Sequence, residues 1–271
     1  MADKFNLDYA NGLKLLLPDA NQIGLTLVGC GGTGSWLAPA VARIGKMLID
    51  RWHKDVSIFF VDPDRVEEKN IYRQNFCQAE IGRNKAETLA ARFGHAWGLE
   101  IQAEAERFGS ISHNELSVII GCVDNSAARK KIRDVTGDYR VWWLDSGNEK
   151  NAGQVLLGRE ICEREPRKNI FKFEGYCTWL PSPAKQHPEL VENTTLEDLR
   201  ADVNGLSCAE MAMQNSQGLS INQRMAAEAA DFLARMLITK DLKRYATYID
   251  LESGASRSSY ITQKEIGRWC R

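Results

Sequence analysis

A glycine-rich segment near the start of the chain constrains the fold more than any other feature. Residues 29–34 read GCGGTG, which fits the spacing G-x-G-x-x-G, and they follow directly on the short apolar run 24–28. Residues 35–49 then carry apolar side chains at three- and four-residue spacing, which predicts a helix. Glycines between a strand and a helix permit a tight turn and let the backbone approach a phosphate. The segment therefore predicts a nucleotide-binding α/β fold, although a glycine-rich turn without a ligand also fits it.

Strand-like and helix-like segments alternate beyond this turn. Buried strands are predicted at 56–61, 117–122, 141–145 and 154–158, and helices at 85–97 and 125–135. Such alternation is typical of a Rossmann-like, doubly wound and mainly parallel sheet. We divide the chain into an N-terminal arm, 1–22, and a nucleotide-binding core, 23–158. The remainder, 159–271, is expected to belong to the same domain.

The C-terminal part differs in composition from the core. Charged residues and prolines over 159–206 predict a long, mobile crossover loop. A helix is expected over 219–238, where apolar side chains form one stripe, and one or two strands over 245–262 would extend the sheet in antiparallel fashion.

Charge and composition exclude several classes of protein. The formal net charge is −1 and the basic residues are scattered, which argues against a nucleic-acid surface. No apolar run approaches the roughly 20 residues that cross a bilayer, and the N-terminus lacks a signal-peptide pattern. We therefore expect a cytoplasmic protein without a membrane partner. The seven cysteines include no C-x-x-C pair, so neither a disulfide framework nor a zinc site is expected.

Asp62 ends the second predicted strand, where an acid commonly binds ribose hydroxyls. The glycine segment and this acid alone would leave an NAD-dependent dehydrogenase open. The stretch that follows is more specific: residues 62–76 read DPDRVEEKNIYRQNF, and residues 81–85 read IGRNK. A dehydrogenase has no reason to place asparagine, arginine and lysine in this way, and nothing in the chain resembles a hydride-transfer site.

These residues resemble the D-x-D-x-V-x-x-x-N-x-x-R-Q-x-x-F and G-x-x-K signatures of the ThiF/MoeB/HesA superfamily, which includes the ubiquitin-activating enzymes. Residues 122–125, CVDN, resemble its C-x-D-N motif, so that four motifs occur in order over 24–157. The resemblance implies ATP-dependent adenylation of a carboxylate. It also implies a nucleotide site, for which we take Gly29, Gly31, Gly32, Gly34, Asp62, Asp64, Asn70, Arg73, Lys85, Asp124 and Asn125.

The chemistry of adenylation accounts for these residue types. A carboxylate attacks the α-phosphorus of ATP and pyrophosphate leaves, so catalysis consists mainly of neutralising phosphate charge. Arg73 can bind phosphate oxygens in a bidentate manner, Lys85 supplies a point charge, and Asp124 is the candidate ligand for Mg²⁺. Asn70 can donate to phosphate or ribose oxygens. Simpler roles stay open: Arg73 as a surface charge, Asn125 as a helix cap, and Asp64 as a turn residue.

Cys208 is the candidate nucleophile. Residues 206–210, LSCAE, resemble the family's (S/T)-C-x-E-(A/S) segment, whose cysteine accepts the acyl group in members that form thioesters. A buried structural thiol is the alternative, and Cys177 is the second candidate.

Family members often have a C-x-x-C zinc pair where this chain has Gly175 and Thr178, which again excludes zinc. Relatives also often carry an R-Y-x-R-Q segment near the N-terminus, whereas residues 1–22 contain no arginine.

Three functions remain at this point. The first is adenylation of the C-terminal glycine of a ubiquitin-like or sulfur-carrier protein, with or without thioester transfer. The second is adenylation of a small-molecule or tRNA-borne carboxylate, as in the related tRNA dehydratases, and the third is a non-catalytic nucleotide-binding module. Residues 145–148 and 153–155 look most like the ThiF-like proteins of bacterial operons such as the PRTRC plasmid system. Family resemblance also implies a homodimer.

Overall fold

The computed structural model describes residues 8–111, 114–160, 169–192 and 219–270. Within these residues the strands are β1 Lys14–Leu15, β2 Gln22–Val28, β3 Asp55–Val61, β4 Ile101–Glu104, β5 Leu116–Gly121, β6 Val141–Asn148, β7 Ala152–Gly158, β8 Tyr176–Cys177, β9 Arg244–Asp250 and β10 Ala255–Tyr260. The helices are α1 Gly32–Trp52, α2 Lys85–Trp97, α3 Ser126–Val135, α4 Pro183–Gln186, α5 Glu189–Glu192, α6 Leu219–Leu237 and α7 Gln263–Trp269.

One sheet of eight strands organises the chain, in the order β10-β9-β7-β6-β5-β2-β3-β4. Strands β4, β3, β2, β5 and β6 are parallel, while β7, β9 and β10 extend the sheet in antiparallel fashion. Within this sheet β2 comes first along the chain. The chain then continues outward to β3 and β4 and returns to β5 on the other side of β2. This reversal makes the β2–β5 boundary the topological switch point, where open α/β sheets bind their ligands. The predicted doubly wound, mainly parallel sheet with an antiparallel extension is confirmed.

The burial of the central strands explains their composition. Strand β5, with the sequence LSVIIG, is buried at every position because parallel strands are covered on both faces. Helices α1 and α6 pack against each other and share one apolar cluster with Trp142 and Leu144 of β6. Helices α3, α4 and α5 contribute to a second cluster with Trp143 of the same strand. Within the described part of the chain, no helix is both long enough and apolar enough to cross a membrane.

Several short elements were not predicted from the sequence. The N-terminal arm contains β1, which pairs in parallel with β8 through Lys14 and Tyr176. The predicted long loop carries β8, α4 and α5 within residues 169–192, and α7 follows the last strand. Such short elements have little periodicity of their own, so that contacts from distant parts of the chain decide them. Residues 161–168 and 193–206 of the predicted loop lie outside the described residues, so its predicted mobility stays a prediction.

Candidate nucleotide-binding site

Two glycines close the turn between β2 and α1. Gly29 has φ of +87° and donates its N–H to the Val61 carbonyl oxygen at 2.9 Å. A Cβ on Gly29 would lie 2.6 Å from the Cys122 carbonyl oxygen, and one on Gly34 would lie 1.8 Å from the Gly29 carbonyl oxygen. Any larger residue at either position would force the backbone apart. The glycine spacing read from the sequence therefore has a steric cause.

The other two glycines lie where α1 begins. Around Gly31, a Cβ would meet only the Gln74 Nε2 atom, at 3.9 Å, among the described residues, so the space before the helix is open. The helix starts at Gly32, and its N-terminus has no side-chain cap in the part of the chain that the structure describes. Uncapped N–H groups at the end of a long helix attract anions. An open space in front of them suits a phosphate group.

Asp62 joins the end of β3 to the glycine turn. Its carboxylate accepts the Cys30 N–H at 2.6 Å through Oδ2 and the Asp64 N–H at 2.8 Å through Oδ1. Only 6% of the residue is exposed, and this burial raises the pKa of the Asp62 carboxyl, while the charge of Lys85 lowers it. The two backbone donors hold the carboxylate in one orientation before any ligand arrives.

Lys85 is the first residue of α2 and points toward the same strand end. Its buried Nζ forms an ion pair with Asp64 Oδ2 at 2.9 Å, and the Asp64 side chain is 64% exposed. Asn84 fixes this arrangement, because its Oδ1 caps α2 by accepting the Glu87 N–H at 3.0 Å. Its Nδ2 donates to the carbonyl oxygens of Asp62 and Asp64, at 2.8 and 3.0 Å. Asn84 was missed in the sequence analysis, although the spacing from asparagine to Glu87 is a capping pattern.

Asn70 builds the loop that carries Arg73. It is buried, and its Oδ1 accepts the Glu67 N–H at 2.9 Å. The N–H groups of Arg73 and Gln74 donate to the Asn70 carbonyl oxygen at 3.1 and 2.8 Å. The Asn70 side-chain oxygen thus supports the loop, and its expected use as a donor to phosphate or ribose oxygens stays a prediction.

Arg73 is half-buried and faces the end of β5. Burial lowers the pKa of the Arg73 guanidinium, and the nearby charge of Asp124 opposes that shift. The Arg73 carbonyl oxygen accepts the Trp36 Nε1 proton at 3.0 Å, which anchors the loop to α1. Gln74 was also missed: it is buried, and its Oε1 has no hydrogen-bond partner within the described ranges. The R-Q pair in the family motif was the signal for it.

Asp124 and Asn125 follow β5 and are both exposed. Asn125 caps α3, because its Oδ1 accepts the Ala128 N–H at 2.8 Å. Its Nδ2 lies 3.4 Å from Asp124 Oδ1. The capping role considered for Asn125 is therefore present. It leaves the Asp124 carboxylate as the exposed acid at this strand end, beside Arg73.

Of the two candidate cysteines, only Cys177 lies among the described residues. Cys208 lies within 193–218, outside the described residues. Cys177 is fully buried in β8, where its Sγ donates to the Trp179 carbonyl oxygen at 2.9 Å. Burial raises the pKa of this thiol to about 12. A thioester acceptor needs access and a thiolate, so the structure corrects the second candidate: Cys177 is a core thiol.

The described groups converge at one edge of the sheet. The glycine turn, Asp62, Arg73 and Asp124 lie at the carboxyl ends of β2, β3 and β5 or in the loops that follow them, and Lys85 begins the helix after the β3 loop. A switch-point crevice with a glycine turn defines the class, a Rossmann-like nucleotide-binding fold. The chain belongs to the ThiF family, whose model matches residues 17–216.

Individual relatives agree with this family. Ubiquitin-like modifier-activating enzyme 5 of Drosophila melanogaster is 26% identical over 147 residues, which covers 47% of this chain and 34% of that protein. The enzyme of the same name from Dictyostelium discoideum is 28% identical over 165 residues, covering 52% of this chain and 40% of that protein. The chain therefore spans well under half the length of these relatives.

Two solved structures share the fold. E. coli MccB, solved with ATP, has a TM-score of 0.53 at 14% identity, covering 94% of this chain and 67% of that chain. PaaA has a TM-score of 0.56 at 16% identity, covering 89% of this chain and 65% of that chain. At these identities the likeness shows the fold alone.

Proposed function

We propose that this protein is an ATP-dependent adenylating enzyme that activates the C-terminal glycine carboxylate of a ubiquitin-like or sulfur-carrier protein. The observation that carries the proposal is the convergence of Arg73, Lys85 and Asp124 on the glycine turn at one edge of the sheet. Membership of the ThiF family and the names of the relatives support it. A nucleotide-binding module without catalysis would not need two cations and an exposed acid around one phosphate site.

The described residues fit ATP. The open space before α1 suits the phosphates, and the Asp62 carboxylate is oriented for ribose hydroxyls. Lys85 would bind phosphate oxygens in place of Asp64, whose largely exposed side chain can turn into solvent. The side chain of Asp124 would hold Mg²⁺, which would neutralise phosphate charge when bound.

The reaction needs charge neutralisation more than proton transfer. A carboxylate oxygen of the partner forms a bond to the α-phosphorus, the bond from that phosphorus to the bridging oxygen breaks, and pyrophosphate leaves with the electron pair. The nucleophile is already an anion, so no general base is required. Arg73 and Lys85 would reduce the repulsion between two negatively charged reactants.

A second step would follow at Cys208. Its thiolate would attack the acyl carbon, AMP would leave, and a thioester would form. We propose this step, and a homodimer as the working assembly, on the resemblance of the LSCAE segment and of the family.

The test of the proposal is ATP–pyrophosphate exchange in the presence of a small protein that ends in glycine. Exchange should depend on that protein and should fall by about 100-fold or more in Asp124→Ala, by analogy with the loss of one transition-state contact. Asp134→Ala is the matched control, because Asp134 is an exposed acid on α3 that pairs with Arg133. Its exchange rate should equal that of the wild type.

Other outcomes would contradict the proposal in distinct ways. Exchange that depends only on a free amino acid or on tRNA would assign a different carboxylate. ATP binding without exchange under any of these conditions would assign a nucleotide-binding module. Equal exchange rates in the wild type and in Asp124→Ala would show that Asp124 takes no part in the reaction.

A further inference from the structure

A cluster of three polar side chains lies beside the first turn of α1. Thr33 Oγ1 donates to Asn148 Oδ1 at 3.0 Å, and Asn148 Nδ2 donates to Asn222 Oδ1 at 3.1 Å. The three residues come from α1, from the last position of β6 and from the first turn of α6. We call them the amide cluster. Thr33 lies within the glycine segment 29–34, whereas Asn148 and Asn222 lie outside the motifs that define the nucleotide site.

Asn222 ends this chain of hydrogen bonds with an unused donor. The residue is fully buried, its Oδ1 is taken by Asn148, and its Nδ2 has no hydrogen-bond partner within residues 8–111, 114–160, 169–192 and 219–270. Buried polar groups are nearly always paired, because an unpaired one loses its hydration without compensation. The Asn222 amide group therefore has an unpaired donor among the described residues.

The amide lies directly against the N-terminus of α1. A Cβ on Gly32, the first residue of the helix, would approach Asn222 Oδ1 to 2.6 Å and Nδ2 to 3.1 Å. Glycine at this position is what admits the asparagine side chain. A neutral donor next to the positive end of a long helix favours a negatively charged acceptor.

The strand order places the amide cluster on the side of the glycine turn opposite Asp62. Asp62 follows β3, Asn148 ends β6, and β2 and β5 lie between them. If Asp62 takes the ribose, the nucleoside occupies the β3 side of the crevice. The partner's carboxylate then reaches the α-phosphate from the β6 side, where the amide cluster lies.

We propose that Asn222 Nδ2 donates to the acyl oxygen of the bound carboxylate, the oxygen that does not attack phosphorus. This inference rests on the proposed adenylation. The non-attacking oxygen keeps part of the negative charge during approach and becomes the carbonyl oxygen of the acyl adenylate, so one donor serves both states. Thr33 and Asn148 are positioning residues, because Asn148 holds the Asn222 amide oxygen and Thr33 holds Asn148.

The test compares two probes that need no knowledge of the partner protein. Glycyl-sulfamoyl-adenosine is a stable analogue of a glycyl adenylate, and sulfamoyl-adenosine lacks the acyl group. Isothermal titration calorimetry would give the Kd of each probe for the wild type and for each variant. In Asn222→Ala the Kd of the glycyl probe should rise about tenfold, the size of one good hydrogen bond. The Kd of sulfamoyl-adenosine should stay within about twofold.

Further variants keep the test decisive where Asn222→Ala fails to fold. Asn222→Asp has nearly the same shape but replaces the donor with a carboxylate, so it should lose more affinity for the glycyl probe than the alanine variant. Thr33→Val removes only the far end of the hydrogen-bond chain and should lose less. Gln223→Ala, on the exposed neighbour in α6, is the matched control and should change nothing.

Three results would overturn the inference. Equal weakening of both probes in Asn222→Ala and Asn222→Asp would make Asn222 a structural residue of the glycine turn. Unchanged binding of both probes would show that the amide makes no contact with the acyl group. If the wild type bound neither probe, the proposed adenylation itself would fail, and the inference with it.

Discussion

The ends of β3 and β5 each carry an acid of the candidate site, and the surroundings of these two acids are very different. At the end of β3, Asp62 is buried and holds two backbone N–H groups, and Lys85 is buried in an ion pair with Asp64. At the end of β5, Asp124 and Asn125 are exposed. The acid at the β3 end is thus held by backbone hydrogen bonds, whereas the acid at the β5 end is exposed.

The difference agrees with what each side is proposed to bind. A ribose is neutral, so its acid can be buried if backbone donors compensate the lost hydration. An acid that holds Mg²⁺ would be a costly unpaired anion if it were buried without the metal. Exposure of Asp124 avoids that cost. We expect the β3 end to contribute to stability and the β5 end to contribute mainly to chemistry.

We expect the largest effect in the free energy of unfolding, which should differ between variants of Asp62 and of Asp124. Asp62→Ala leaves the Cys30 and Asp64 N–H groups without their acceptor, and we expect the free energy of unfolding to fall by about 3 kcal/mol. Asp124→Ala should change it by less than about 0.5 kcal/mol, as is usual for exposed positions. Urea denaturation of both variants measures the difference. Similar losses would mean that the β5 end is as rigid as the β3 end.

The next effect concerns pH and the Asp62 carboxyl. Burial raises the pKa of Asp62, so this carboxyl stabilises the fold most below its unfolded pKa, and that stabilisation is lost as pH rises through the folded pKa. Ribose hydroxyls need the ionised form, so adenosine affinity should decline as pH falls toward the raised pKa. The loss corresponds to a charge-assisted hydrogen bond, about 2 kcal/mol.

Lys85→Met sharpens this pH prediction. Lys85 lowers the pKa of Asp62, so its removal should move the acid-side loss of adenosine affinity to higher pH. Adenosine has no phosphate, which separates this effect from any phosphate contact of Lys85. Fluorescence or calorimetric titration across pH provides the measurement, with Asp62→Asn as the variant that should show no such midpoint. If the pH midpoint for loss of adenosine affinity were unchanged in Lys85→Met, the charge of Lys85 would have no effect on the pKa of Asp62.

The smallest effect tests what Asn125 does at the β5 end. Asn125→Ala removes the cap of α3 and should lower the free energy of unfolding by about 1 kcal/mol, whereas Asn125→Ser should retain most of it. Both variants should keep the exchange activity. Loss of exchange in Asn125→Ser with unchanged stability would instead make Asn125 a nucleotide ligand, and the β5 end would then be more organised than its exposure suggests.

Much of the parallel half of the sheet was predictable because its signals are local. Strand β5 is a continuous apolar run, and α1 repeats its buried residues at helical spacing. Helix α2 begins and ends at the predicted residues, Lys85 and Trp97. In contrast, β1 and β8 pair across more than 160 residues of sequence, and each strand has only two residues. Neither carries a pattern that could have predicted the pairing.

The candidate site divides in the same way. Gly29 and Asp62 were identified by residue type and spacing, and Arg73, Lys85 and Asp124 through the family resemblance. The structure brings their segments to one edge of the sheet. Residue spacing could not predict that the Asn70 side chain accepts a hydrogen bond within its own loop. Nor could it predict that Cys177 lies in the core. The contributions of Gln74, Asn84 and Asn222 could not be predicted from residue spacing either. Their roles depend on burial and on partners elsewhere in the chain.

By itself the sequence determined the fold class and the glycine turn, because steric freedom at glycine and the periodicity of apolar residues are properties of neighbouring positions. The family followed from the resemblance of its motifs to those of known proteins. Only the tertiary structure decided which polar groups are already engaged and which have a donor to spare, as the Asn222 amide has among the described residues. The physical reason is that the free energy of a hydrogen bond depends on exclusion of water and on the position of its partner. Packing of distant segments sets both.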